Sequence, residues 1–344
     1  MRWHPACTDP LLERSKTIKR SFSAQKKGRL LTVCIAASGN IRPGAPPLVI
    51  VAADRMITIG DIEYEPDQTK SVLLAGQTVA LLAGEMETHA VVCPAVQDSL
   101  TTNPPPGFLN KTIAERYATE FAFYRRYVAE QEILMPLGLT ADDFLTRQTA
   151  MSHEFVRDVA NKLLGHSIDS QAIIAGVDHT GPHIFKIVDP GVAKSFDTPC
   201  FAAIGTGSPH AESYLMTTGF HKNFRPSQIL YAVFAAKMKA EIASGVGSQT
   251  DLLIIRGGTT NPLVRGGTFI VGATQMQRLR SIYEKQQTLV RQSEMDAIEE
   301  MEALMTEIAD KSHQSDHAAQ AANVPTPPDN TPPAAPEPSG DSGR

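Results

Sequence analysis

Apolar and polar positions along the chain alternate between two regimes. Residues 30–37, 48–53, 71–75 and 78–83 are short apolar runs bounded by Gly, Pro, Asn or Asp, which predicts strands. The run 48–53 is nearly continuous and so predicts a strand covered on both faces, and Gly76-Gln77 predicts a hairpin turn between the third and fourth runs. The period then lengthens. Glu85 to Leu100 and Lys111 to Ile133 read as helices, separated by Thr101-Thr-Asn-Pro-Pro-Pro-Gly107, and a further helix opens at Thr140 and runs in some form to Leu164. Strands return at 171–177, 183–188 and 199–204, followed by helices at 209–217 and 226–243, with Pro226 suited to a first helical position. Strands at 251–256 and 268–271 end the alternation. The order β-β-β-β, α-α, β-β-β, α-α, β-β predicts two sheets covered by helix layers.

Beyond residue 274 the pattern changes again. Gln275 to Asp310 is a charged helical stretch in which Ile282, Leu289, Met295, Ile298, Met301, Leu304 and Ile308 are spaced for a partner face or a loosely packed helix. From Ser312 to Arg344 there are seven prolines and no Ile, Leu, Phe or Tyr, a composition that cannot build a core and predicts disorder. The division is therefore 1–29, an extension that is disordered, cleaved or untranslated; 30–274, the main domain; 275–311, an amphipathic helix; and 312–344, a disordered tail.

The chemistry concentrates early. Leu48-Val-Ile-Val-Ala-Ala-Asp-Arg55 is an apolar strand that ends abruptly in an acid and a base. Lys70 follows sixteen residues after Asp54, and Gly84 fourteen after that, at the end of the strand 78–83. One carboxylate, one amine and one glycine are thus delivered to strand ends. On spacing alone a structural ion pair and a functional site are both open readings.

These residues resemble the proteasome β-subunits and the bacterial proteasome-like peptidases, including the Anbu type. Leu31-Thr-Val-Cys-Ile-Ala-Ala37 is similar to the Anbu start, Ala203-Ile-Gly-Thr-Gly-Ser-Pro209 to the family's Gly-Ser-Gly turn, and Glu241-Ile-Ala-Ser-Gly245 to its Asp-x-x-Ser-Gly motif. The resemblance spans roughly Leu30 to Gly272. It implies an α+β fold, a four-layer α-β-β-α sandwich of the N-terminal-nucleophile hydrolase kind. It also implies a threonine peptidase whose nucleophile, Thr32, uses its own α-amine as base. Asp54 would orient Lys70, Lys70 would lower the amine's pKa, and the Gly84 amide would bind the oxyanion. Thr206 and Ser244 would be hydroxyl partners near the amine, with Glu241 in place of the family's Asp and one methylene longer. The resemblance further implies peptide substrates, no cofactor and a homo-oligomer built as a ring or stack.

Thr32 is internal, and a second register on Val33 and Ile35 puts Leu30 at the nucleophile position, which would make the protein inert. Both registers share one strand face. An active chain therefore has to begin at Thr32. Cys34, on the same face, is a second candidate nucleophile without an identifiable base. Three functions stay open: a self-compartmentalised threonine peptidase, a non-catalytic subunit or assembly module, and an amidase of small substrates.

Composition narrows the classes. A net charge of −5 gives no global case for nucleic-acid binding. Cys7, Cys34, Cys93 and Cys200 form no C-x-x-C pair, which argues against a zinc site or disulfide framework and suits the cytoplasm. No run approaches the roughly 20 apolar residues of a membrane span. The first 29 residues carry eight Lys or Arg against two Asp or Glu and lack the apolar segment of a secretory signal.

Overall fold

The computed structural model describes residues 31–39, 46–59, 62–66, 69–258 and 266–322. The chain divides into two units between Arg280 and Ser281.

The first unit contains two five-stranded antiparallel sheets. One has the order β10-β1-β2-β11-β12, from Phe201–Ile204, Cys34–Gly39, Leu48–Asp54, Thr250–Arg256 and Gly267–Ile270. The other runs β5-β6-β7-β8-β9, from Ser71–Ala75, Thr78–Gly84, Ser170–Asp178, Gly181–Val188 and Val192–Ser195. A small hairpin, β3 (Ile57–Ile59) with β4 (Ile62–Tyr64), is absent from the sequence reading. The strand β9 is also absent from the sequence reading, because Val-Ala-Lys-Ser is short and half exposed.

Strand parity decides which side chains meet. Cys34 and Ala36 of β1 and Val49, Val51 and Ala53 of β2 share one buried cluster with Val79, Leu81 and Ala83 of β6 and Ile173 and Ala175 of β7. The inner faces of the two sheets therefore form a common core. Successive residues point to opposite faces, so Ala80, Ala172 and Ile174 face the other way. They pack with Val92, Val96, Ile113, Tyr117 and Phe121 of helices α1 (Met86–Thr102) and α2 (Asn110–Ala129). On the first sheet, β1 and β2 are contacted by α6 (Pro226–Ala240), and β10 by α5 (Ser208–Thr217). Both faces of β2 are thus covered, which is why its sequence is apolar up to its last residue, Asp54.

The stretch 140–164 is two helices, α3 (Ala141–Thr146) and α4 (His153–Gly165), joined by a short 3₁₀ turn. Thr140 and Asp143 form a reciprocal capping box at the start of α3. Phe144 and Val159 bury with Leu134 in a separate small cluster.

The second unit begins within α7 (Ala273–Ala322). The helix continues past the expected boundary at Ser312, because Ser312 to Ala322 contains no proline and several alanines, good helix formers. The proline-rich remainder, 323–344, and the basic extension, 1–30, lie outside the described residues. Ile282, Leu289, Met295, Ile298, Met301, Leu304 and Ile308 are all about half exposed or more.

Candidate functional site

Asp54 ends β2 with its side chain fully buried, so each carboxylate oxygen requires donors from the protein. Its Oδ1 accepts from the Val33 backbone N–H at 2.9 Å, from Lys70 Nζ at 3.0 Å and, in a short contact, from the Thr32 hydroxyl. Its Oδ2 accepts from the N–H groups of Met56 at 3.0 Å and Gly247 at 3.1 Å. Five donors from four separate segments converge on one carboxylate.

Thr32 stands two residues before β1, on the parity that places Cys34 and Ala36 in the inter-sheet core. Lys70, just before β5, donates to Thr32 Oγ1 at 2.5 Å. The hydroxyl therefore accepts from an ammonium and donates to a carboxylate. Both directions oppose rotation of the side chain, and charge-assisted hydrogen bonds are the stronger kind. The Thr32 nitrogen faces Thr206 Oγ1 at 3.3 Å, and the Thr32 carbonyl accepts from the Gly207 N–H at 3.1 Å. Gly205 makes this approach feasible. Its φ is +86°, and a Cβ there would lie 2.3 Å from the Thr32 carbonyl oxygen.

A cavity of about 970 Å³ opens beside this group. Thr32 and Lys70 line it, as do Gly84 and Leu31. Gly84 has φ +107°, a conformation that glycine adopts without a Cβ penalty. Glu85, Glu87, Glu132 and Asp169 line the same cavity, and burial followed by the three neighbouring carboxylates raises the pKa of Glu85. Leu31 also packs on Gly245, where a Cβ would meet its side chain at 2.5 Å.

The structure thus brings together Thr32, Asp54, Lys70 and Thr206, with Gly84 on the shared cavity. Two expected partners stand differently. Ser244 contributes its backbone carbonyl, which accepts from Thr206 Oγ1 at 3.4 Å, rather than its hydroxyl. The Glu241 carboxylate makes a short contact with Lys237, four residues earlier and fully buried. Lys237 Nζ also donates to the carbonyls of Gly247 at 2.8 Å and Ser248 at 3.1 Å. Glu241 therefore reaches the site through Lys237 and the 247–248 turn, whose Gly247 N–H clamps Asp54. Burial is the leading effect on Lys237 and lowers its pKa, opposed by Glu241. The sequence signal for this pair is a lysine directly after the apolar stretch 232–236, placed at i, i+4 to an acid.

Arg55, adjacent to Asp54, pairs instead with Asp251 at 2.6 Å, the structural ion pair of this strand end. Cys34 is fully buried, its thiol donates to the Leu82 carbonyl at 3.4 Å, and burial pushes its pKa up to about 12. It stays a thiol at neutral pH, which removes the thiolate that a cysteine nucleophile requires. Among the described residues no group of three His, Cys, Asp or Glu is placed to hold a metal, and no helix is long and apolar enough to cross a membrane. No protein-family model and no curated protein matches the chain.

Proposed function

We propose that this protein is a threonine-type N-terminal-nucleophile hydrolase of peptide amide bonds, built on the four-layer α-β-β-α sandwich of that class. The supporting observation is the Thr32 hydroxyl held between Asp54 and Lys70 at the edge of the cavity that Gly84 also lines. With Thr32 as the first residue, its α-amine takes the hydroxyl proton, directly or through a water, as Oγ1 adds to the substrate carbonyl carbon. The ammonium of Lys70 stabilises the developing alkoxide, and the Gly84 N–H stabilises the oxyanion. The amine then returns the proton to the leaving nitrogen. The ester left on Thr32 is hydrolysed by water, which restores the hydroxyl and releases the acid. Thr206 is positioned to hold the amine, since its hydroxyl already faces that nitrogen.

A second reading is favoured by Leu31. While Leu31 is attached, the Thr32 nitrogen is an amide without basicity, and the Leu31 side chain occupies the space against Gly245 and the cavity wall. A chain that keeps Leu31 is a non-catalytic subunit. Intact-mass analysis of the protein expressed from its native gene separates the two. A mass corresponding to Thr32 onward, with turnover of fluorogenic peptides that Thr32→Ala abolishes, supports the hydrolase; a stable chain retaining Leu31, without turnover, rejects it. Preference for small amides over peptides would redirect the reading to an amidase.

We infer a homo-oligomer from α2, where Phe123 is 58% and Tyr127 52% exposed despite their size. Light scattering showing only monomer at micromolar concentration rejects this inference.

A further inference from the structure

Gly84 N–H and the Ala83 carbonyl belong to one planar peptide unit, and in a trans peptide they point in opposite directions. Whatever holds the carbonyl therefore aims the N–H. The β6–β7 ladder, in which Ala83 pairs with Gln171, fixes one side of this unit, and His89 is the side chain that holds the carbonyl as well. Its Nε2 lies 3.1 Å from the Ala83 oxygen and its Nδ1 lies 3.2 Å from the hydroxyl of Tyr117. A carbonyl can only accept, so Nε2 carries the proton. Nδ1 is then the acceptor, and the Tyr117 hydroxyl is the donor that fixes this tautomer. His89 is 7% exposed and Tyr117 is completely buried, so water does not compete for either contact. His89 also lines the cavity shared by Thr32, Lys70 and Gly84.

We propose that His89 is a positioning residue for the oxyanion site, holding the Ala83–Gly84 peptide by its carbonyl so that the Gly84 N–H is fixed toward the cavity, with Tyr117 locking the imidazole. The inference rests on the hydrolase reading, in which Gly84 supplies the oxyanion donor. Two physical effects combine. Gly84 has no Cβ to restrain rotation of the peptide at the end of β6, so a side-chain anchor adds to the constraint of the ladder. A hydrogen bond accepted by the carbonyl also polarises the N–H of the same unit, making it a stronger donor. The buried imidazole is suited to this task as a neutral group, and burial lowers its pKa to about 4.

The test compares wild type, His89→Phe, His89→Gln and Tyr117→Phe, all beginning at Thr32. The first readout is steady-state hydrolysis of a fluorogenic peptide. The second is the Ala83–Gly84 amide cross-peak among the three that ¹³C-carbonyl alanine with ¹⁵N-glycine labelling selects (75–76, 83–84 and 175–176), assigned by its loss in a Gly84→Ala sample. His89→Phe removes the donor and is expected to lower kcat by about 10–100-fold, less than loss of a whole oxyanion donor, with KM within about twofold. Gln carries an amide N–H₂ at a similar reach and is expected to recover most of kcat and the wild-type cross-peak position. Tyr117→Phe, which deletes one oxygen and keeps the ring, should fall between them and serves if His89→Phe does not fold. Unchanged kcat in His89→Phe or, failing that, in Tyr117→Phe overturns the inference while leaving the hydrolase reading intact. A loss that Gln does not recover overturns it too, since bulk and not the hydrogen bond would then be at stake. Absence of turnover in the wild-type chain beginning at Thr32 overturns the hydrolase reading itself, and the cross-peak still reports whether His89 holds the peptide.

Discussion

Two threonines in this protein touch titratable partners at nearly the same distance, yet they sit in opposite physical settings. Thr32 Oγ1 is 2.5 Å from Lys70 Nζ, and Thr180 Oγ1 is 2.6 Å from His183 Nε2. His183 is in turn 2.8 Å from Asp197, which completes a threonine, histidine and carboxylate row on the β7–β8 turn. Thr180 is exposed, and it also donates to Asp178, two residues before it. Two of its partners are supplied by the hairpin itself, and Asp197 adds a bond to the Ile184 N–H in the same strand. Thr32 draws on residues 22 and 38 positions away, against a fully buried carboxylate and beside a large cavity. The polar row on the turn staples a hairpin; the group around Thr32 has a substrate-sized space in front of it. Residue types and short distances do not separate the two, whereas burial, cavity and sequence separation do.

The sharpest way to break this contrast is by activity. Lys70→Ala in the chain beginning at Thr32 should lower kcat roughly a thousandfold, within the usual range for losing a catalytic proton-transfer or charge-stabilising group. His183→Ala should leave turnover unchanged. Peptide hydrolysis by both variants, with circular dichroism to confirm folding, checks the pair. Normal turnover in Lys70→Ala would remove the catalytic assignment; a large loss in His183→Ala would move attention to the turn.

Stability gives the next largest difference. Asp54→Ala leaves three backbone N–H groups and the Lys70 ammonium without their carboxylate. Removing one partner of a buried pair costs about 3–5 kcal/mol, whereas Asp197, on a partly exposed pair, falls in the range of about 0–1 kcal/mol. Urea unfolding of Asp54→Ala and Asp197→Ala compares them directly. Equal midpoints would mean that the clamp around Asp54 is no more than a surface-type ion pair.

Much of this was legible before any coordinates. Apolar runs with turn residues between them located nine of the twelve strands among the described residues, because strand parity in a two-sheet core leaves its mark on the sequence. The sixteen- and fourteen-residue steps from Asp54 to Lys70 to Gly84 singled out two residues that line one cavity, Lys70 and Gly84, and the buried carboxylate that binds Lys70. The hairpin β3–β4 and strand β9 escaped because segments of three or four half-exposed residues carry too little periodicity. The partner of Glu241 was not legible because it is decided by helix geometry. Lys237, one turn earlier, captures it, and Ser244 turns its carbonyl to Thr206. His89 escaped for a different reason: a histidine on a helix shows nothing in sequence of the carbonyl it will meet across a strand end.

The smallest effect concerns the two histidines and separates the two regions by sign. Burial depresses the pKa of His89 from the ordinary 6.5 to about 4. The unfolded chain then binds the proton more readily, so the stability His89 contributes is complete above pH 6.5 and is lost as pH falls from 6.5 toward 4. That shift corresponds to at most about 3 kcal/mol across the window. His183 moves the other way. The hydrogen bond to Asp197 and the charges of Asp197 and Asp178 raise its pKa, against partial burial. Its contribution is complete below 6.5 and is lost as pH rises through the raised value, and its exposure keeps the effect small. Chemical denaturation at a series of pH values reads both. The difference between wild type and His89→Gln should grow with pH from 4 to 6.5, and that between wild type and His183→Gln should shrink as pH rises beyond 6.5. If the His89 difference has no slope between pH 4 and 6.5, the imidazole is not held neutral against Tyr117 and Ala83, and the contrast between a buried relay and an exposed staple loses one of its two sides.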